Sequence, residues 1–368
     1  MGTSPTVTAV LDETDRIAQL DPNGMFGILS GWPEQWQNAA GLAKKVQMPG
    51  AVRTGRFQHV VISGMGGSAI GGDLLNDYLS DSLTVPLTVS RSYTCPPHVG
   101  RNTLFVAVSY SGNTEETLSA LSGALQREAE VVAVTTGGAA EEECQRAGRP
   151  VIRVPKGLPP RQALGYLFLS VLGILEGVGL AGKQKGAMDE TGGLLSDWVR
   201  EYGPEAPLSE NRAKDLAVSL HGKVPVIYGV QGRTGAVASR WRGQFHENSK
   251  NWATFNVLPE LDHNEITGWA SLSEVTRKLV YLIFLEDSED GERMARRREI
   301  TRKLIGPHVS GWSRVASHGK GRLARLFSLI VLGDFVSCYL ALLNDVDPLP
   351  VPVIEDLKKA LAAPLPTE

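Results

Sequence analysis

Short, mostly apolar runs recur along the first half of the chain: HVVIS at 59–63, PLTVS at 86–90, LFVAVS at 104–109, VVAVTT at 131–136 and VIRVP at 151–155. Most are separated by stretches of helical periodicity at 68–80, 114–128 and 140–147, and a long apolar helix is expected at about 161–180. Brief apolar strands alternating with helices predict a parallel sheet covered on both faces. Ahead of them, residues 8–46 read as amphipathic helix, broken near Asp21-Pro22-Asn23-Gly24. The polar stretch 183–215, with Gly192-Gly193 and Pro204, reads as a link. The alternation then restarts, with a strand at 225–230, a helix at 234–249, apolar runs at 253–258 and 279–285, and a last long helix at 321–345. The pattern predicts an α/β protein of two units, each a parallel sheet flanked by helices. Its divisions are an N-terminal helical segment (1–50), a first unit (51–190), a second unit (205–345) and a tail (346–368). The shared grammar of the two units suggests a pseudo-repeat in topology, without close sequence identity.

Two apolar stretches bear on a membrane. Leu326–Leu343 carries Asp334, and Ala163–Leu180 carries Glu176 and several glycines. An unpaired carboxylate is costly in hydrocarbon, so both are expected to be buried helices. A net charge of -3 gives no electrostatic footprint for nucleic acid. Arg296-Arg297-Arg298, close to Glu292 and Glu299, reads as a solvated helix face. Cys95, Cys144 and Cys338 show no CxxC spacing, so neither disulfide nor zinc site is expected. The N-terminus is polar and acidic, unlike a secretory leader, and Pro5 weakens the myristoylation reading of Met1-Gly2. A cytoplasmic protein is the expectation.

The strand at 59–63 runs into SGMGGSAIGG, where Gly64-x-Gly66-x-x-Ala69 precedes a helix. That is the local context of a dinucleotide fingerprint, which also wants an acidic residue at the end of the next strand. The chain has Ser90-Arg91 there. An arginine suits a 2′-phosphate, so an NADP-dependent dehydrogenase is one reading. A second loop favours another. The strand LFVAVS leads into SYSGNTEET, crowding Ser109, Ser111, Asn113 and Thr114 ahead of a helix that Glu115-Glu116 open. Hydroxyls and free amides at a helix N-terminus bind a phosphate dianion well. Thr114 alone could be an N-cap, but one cap does not account for the other hydroxyls and Gly112. Two such loops at C-terminal strand ends can converge on one crevice. That favours a single small phosphate over an extended dinucleotide.

GMGGSAIGG and SYSGNTEET resemble the two sugar-phosphate loops of the SIS (sugar isomerase) fold. From about residue 20 onward the chain resembles the bifunctional phosphoglucose/phosphomannose isomerases. The resemblance implies two SIS-type units, with Gly66, Gly67, Ser68, Ser109, Ser111 and Thr114 holding the phosphate of a hexose 6-phosphate. It implies interconversion of glucose 6-phosphate, and of mannose 6-phosphate, with fructose 6-phosphate through a cis-enediol(ate). A well-placed carboxylate base does this without cofactor or metal. By composition alone Glu247, in RGQFHENSKNW, is a solvated glutamate on a polar helix turn; the resemblance makes it the base. His263, in LPELDHNEITGW, resembles a ring-opening histidine donated by the neighbouring subunit, which implies a homodimer. The sequence HNE has no second histidine at helical spacing, so no metal is expected. The tail VIEDLKKAL resembles a segment whose lysine helps open the ring, and Lys358 fits that place better than Lys359. Arg161, after Pro159-Pro160, resembles an arginine that lies against the phosphate and the enediol charge. Two departures stand out. Leu349-Pro350-Val351 occupies the neighbourhood of a family threonine linked to the mannose epimer, and the extra length of the chain is expected in 287–322. A non-catalytic sugar-phosphate sensor is the other alternative, against which Glu247, His263 and the tail lysine argue.

Overall fold

In the first unit, β1 (His59–Ser63), β2 (Leu87–Ser90), β3 (Thr103–Ser109), β4 (Glu130–Thr135) and β5 (Val151–Arg153) form one sheet in the order β2-β1-β3-β4-β5. Every pairing is parallel. All residues of β3 and β4 are buried, as strands covered on both faces must be. This computed structural model describes residues 8–45 and 57–362. The Met1-Gly2 reading, the division at 50/51 and the last residues of the tail lie outside the described residues.

Two short helices, Thr14–Leu20 and Met25–Ser30, lie near the start of the described residues; α1 (Trp32–Ala43) follows ahead of the sheet, then α2 (Gly67–Tyr78), α3 (Glu115–Gln126), α4 (Ala139–Arg146) and α5 (Leu164–Gly177). The chain leaves β1 for β2 on one side and returns to β3 on the other. The loops after β1 and β3 therefore lie next to each other at the C-terminal edge, at the point where strand order reverses and ligands bind in such sheets.

The second unit repeats the plan. Its strands are β6 (Val224–Val230), β7 (Thr254–Leu258), β8 (Val280–Glu286) and β9 (Gly311–Ala316), parallel and ordered β7-β6-β8-β9. The stretch expected as a link is helical, comprising α6 (Lys185–Tyr202) and the start of α7 (Arg212–Leu220). Met188, Thr191, Leu195, Trp198 and Tyr202 are buried at steps of three and four, a stripe hidden among polar neighbours. Helix α8 (Gly235–Glu247) follows β6. The region 287–322, where extra length was expected, holds α9 (Gly291–Ile305) and the edge strand β9. Along β9 more and less exposed positions alternate, so it shows no apolar run.

Helix α10 (Arg322–Leu343) lies at the centre of the molecule, and α11 (Pro352–Ala362) ends the described chain. By length and composition α10 could cross a membrane, yet its apolar window is wholly buried within the fold. It joins the two units. Trp241 of α8 donates to the Leu329 carbonyl at 2.9 Å, and Tyr339 of α10 donates to Tyr202 of α6 at 2.8 Å. A Cβ on Gly333 would stand 2.2 Å from the Trp241 indole nitrogen, so the helices meet there only because the residue is glycine.

Candidate active site

The first loop leaves β1 through Gly64-Met65-Gly66 and enters α2 at Gly67-Ser68. Gly66 has φ 48° and ψ −120°, a conformation that side-chain-bearing residues avoid. A Cβ on Gly67 would lie 2.6 Å from the Pro160 carbonyl oxygen and 2.7 Å from the Arg161 nitrogen. The loop therefore rests directly on the Arg161 backbone. Ser68 is buried, and its hydroxyl accepts from the Tyr110 amide of the second loop at 3.3 Å. The two loops thus converge, as their places at C-terminal strand ends suggested.

In the second loop the Ser109 and Thr114 hydroxyls are 2.9 Å apart, and Ser109 also accepts from the Gly112 amide at 3.1 Å. Ser111 is exposed, and its hydroxyl accepts from the Asn113 amide at 3.2 Å. Thr114 occupies the N-cap position of α3 but makes no side-chain cap. The first-turn amides of a helix have no intrahelical partner, so here they face the loop uncapped by that hydroxyl. The turn Thr135–Gly138 after β4 backs this loop: Asn113 Oδ1 accepts from the Ala139 amide at 3.0 Å, and Ala140 donates to the Gly112 carbonyl at 2.9 Å. Sequence reading missed this supporting turn, although its Thr-Thr-Gly-Gly signal is there to see.

Arg161 sits in the 3₁₀ turn Pro160–Gln162 and is 4% exposed. Its guanidinium is held on two sides. Nε donates to Asn248 Oδ1 at 2.7 Å, while Nη2 donates to the carbonyls of Pro348 at 3.0 Å and Leu349 at 2.7 Å. Nη1 faces Glu247 Oε2 at 3.6 Å. Burial pulls the guanidinium below its ordinary value, opposed by the Glu247 carboxylate; an arginine stays charged in such surroundings. Glu247 ends α8 with its side chain 29% exposed, so a ligand can reach it. Lys250, three residues on, donates to the carbonyls of Asn248 at 3.1 Å and Asp347 at 2.6 Å. Burial, then the Arg161 charge, pulls Lys250 down.

One polar cluster thus gathers both phosphate loops, Arg161 and Glu247. A Gly-rich turn, helix N-termini, a fixed cation and an accessible carboxylate are what a phosphorylated sugar and a proton transfer require. Sequence comparison agrees with this reading. The bacterial phospho-glucose isomerase C-terminal SIS domain matches residues 209–361. The bifunctional phosphoglucose/phosphomannose isomerase of Caldicellulosiruptor bescii is 45% identical over 338 residues, covering 92% of this chain and 99% of that one. Its counterpart in Thermoplasma acidophilum is 38% identical over 87% of this chain and 95% of that one. The chain belongs to the bifunctional phosphoglucose/phosphomannose isomerase family. The fold is also that of a hypothetical protein of Thermus thermophilus, with TM-score 0.72 at 18% identity over 97% of this chain and 95% of that one. Family membership displaces the dehydrogenase reading. Arg91, which would have read a 2′-phosphate, is ion-paired with Asp73.

Two of the family-derived residues lie apart from this cluster within the chain. His263 closes the 3₁₀ turn Glu260–His263 and is exposed. Strand β7 runs parallel to β6 with Leu258 opposite Val230, so His263 follows the edge where α8 begins, whereas Glu247 is where α8 ends. A helix of 13 residues is about 20 Å long. Leu261 also packs with Val226, Tyr228 and Phe284 on the sheet face opposite α8. Next to His263, the Glu265 carboxylate is taken up by the Tyr228 hydroxyl and by Asn256 at 2.6 Å. The tail does reach the site, through the carbonyls of 347–349. Lys358, however, lies on α11, exposed, and Lys359 beside it pairs with Asp356 at 3.6 Å.

Proposed function

We propose that the chain interconverts glucose 6-phosphate, and mannose 6-phosphate, with fructose 6-phosphate through a cis-enediol(ate). The phosphate would sit between Gly66, Gly67 and Ser68 of one loop and Ser109, Ser111 and Thr114 of the other. Glu247 would take the proton from C2 of the open-chain aldose and return it to C1. Arg161 Nη1 would face the oxygen on which charge develops, and a fixed cation in a buried site stabilises such charge strongly. Ring opening falls to His263 of a second copy and to Lys358. The chain would divide into an N-terminal segment (1–50), two SIS-type units (51–190 and 205–345) and a tail (346–368), with α6 at the seam.

The observation that carries this reading is the position of Arg161. Its backbone supports the first phosphate loop and its Nη1 faces Glu247 at 3.6 Å. Phosphate anchor, charge stabiliser and base are thereby tied to one residue. Exchanging Glu247 for Gln keeps the shape and removes the base. We expect turnover of fructose 6-phosphate, followed in a coupled assay, to fall roughly 10³-fold or more, the upper part of the range for a general base. Binding of fructose 6-phosphate, read by thermal-shift titration, should change little. Turnover above a tenth of the parent value would remove Glu247 from the chemistry. Leu349, in the neighbourhood of the family threonine, meets Arg161 through its carbonyl, so the ratio of mannose to glucose activity is the quantity to measure in a hexose phosphate panel.

A further inference from the structure

Arg240, Gln244 and Asn248 recur every fourth residue at the end of α8, so they share one face of the helical turn. That face meets α10, where an apolar run is interrupted by Asp334 and Ser337. Arg240 Nη2 donates to both Asp334 oxygens at 2.8 Å, Gln244 donates to Asp334 Oδ1 at 2.8 Å, and Asn248 Nδ2 donates to Ser337 Oγ at 2.9 Å. Ser337 Oγ in turn donates to the Asp334 carbonyl at 2.8 Å. The ladder ends on Arg161 twice. Arg240 Nη1 donates to the Arg161 carbonyl at 3.1 Å, and Asn248 Oδ1 accepts from Arg161 Nε at 2.7 Å.

Arg161 has five N–H donors in a rigid fork. Nε and Nη2 carry three of them, and all three are spent on Asn248, Pro348 and Leu349. The two on Nη1 are left toward Glu247. A guanidinium fixed by its far side presents the same two donors in every turnover, with no reorganisation at the moment of reaction. Asn248 is fully buried and uses both ends of its amide, accepting from Arg161 and donating to Ser337.

We infer that Asn248 is a positioning residue, which aims Arg161 Nη1 at the oxygen on which charge develops by tying Nε to Ser337 of the central helix. The inference rests on the isomerase reading of the site. Exchanging Asn248 for Ala should lower kcat roughly 10- to 100-fold, less than loss of the charge itself. KM should change less than about 3-fold, because the phosphate loops are untouched. Since Asn248 acts through Arg161, its exchange should cost less than about 3-fold when Arg161 is already Ala, as coupled sites behave. Ser337→Ala, a milder change that leaves Asn248 in place, should show a smaller drop in kcat that also disappears in the Arg161→Ala background. Thermal melts of each variant report whether it folds. Full, multiplicative loss from Asn248→Ala and Ser337→Ala in the Arg161→Ala background overturns the inference alone. Parent-like activity of Arg161→Ala overturns the assignment of Arg161 and the inference with it.

Discussion

Asp77, on α2, carries a charge into the seam between the two units. It is 6% exposed, and its carboxylate accepts from the Ala236 amide in the first turn of α8 at 2.7 Å. Burial pushes it from 3.8 up to about 6, with the Asp73 charge adding and the Ala236 bond and Arg322 opposing. Well below pH 3.8 the side chain is protonated in both folded and unfolded chains. Between pH 4 and 6 the folded chain still holds a proton that the unfolded chain has lost, so this residue makes stability fall as pH rises. Above that window the cost is complete, roughly 3 kcal/mol for such a difference. Asp77→Asn keeps an acceptor for Ala236 and cannot ionise. We expect its melting temperature to match the parent at pH 3 and exceed it at pH 8; equal differences at the two pH values would refute the assignment. At this same scale the candidate site was partly legible. Glu247 and Arg161 stand in short blocks that resemble the family's, and the structure sets them face to face. Asn248 showed only as a neighbour of Glu247, because its partner Ser337 lies 89 residues away in an apolar run. A tertiary hydrogen bond of that kind leaves no local pattern.

The phosphate cradle depends on loops as whole elements. Gly112 has φ 76°, and a Cβ there would lie 1.7 Å from the Gly137 carbonyl oxygen, in the turn that backs the second loop. Gly112→Ala therefore meets both backbone strain and a collision with main chain. We expect a loss of roughly 2 kcal/mol or more, read by urea unfolding, and a raised KM as the loop shifts. Gly100→Ala is the control. Gly100 has open space around its Cβ position and no positive φ, and should change stability by less than about 0.5 kcal/mol. An unshifted KM in Gly112→Ala would mean the loop does not hold the phosphate. Element by element, the strands from β1 to β8 were legible because their apolar runs are continuous enough to stand out. Helix α6 was not, since its buried stripe from Met188 to Tyr202 is outnumbered by the polar residues around it. Strand β9 was not, since it lies at a sheet edge and alternates.

For the whole molecule, the separation of His263 from Glu247 is the feature that one chain does not reconcile with the proposed chemistry. Glu247 ends α8, whereas His263 lies in a turn beyond the other end of that helix, and Leu261 of the same turn packs on the opposite face of the second sheet. On the proposed chemistry, a histidine that opens the ring at this site would have to come from another copy. Uncovered apolar side chains fit such a contact. Leu272, Val275 and Leu279 follow His263, and Val353, Ile354, Leu357 and Leu361 mark α11, the helix that carries Lys358. Subunit mixing decides the matter. A Glu247→Gln dimer lacks the base at both sites, and a His263→Ala dimer lacks the ring opener at both. A hybrid of the two, with the histidine donated across a two-fold interface, has one site with both changes and one site with neither. After equimolar dissociation and reassembly, random pairing should return about a quarter of parent activity. A histidine acting in its own subunit would leave every site in the hybrid short of one group, and mixing would restore nothing.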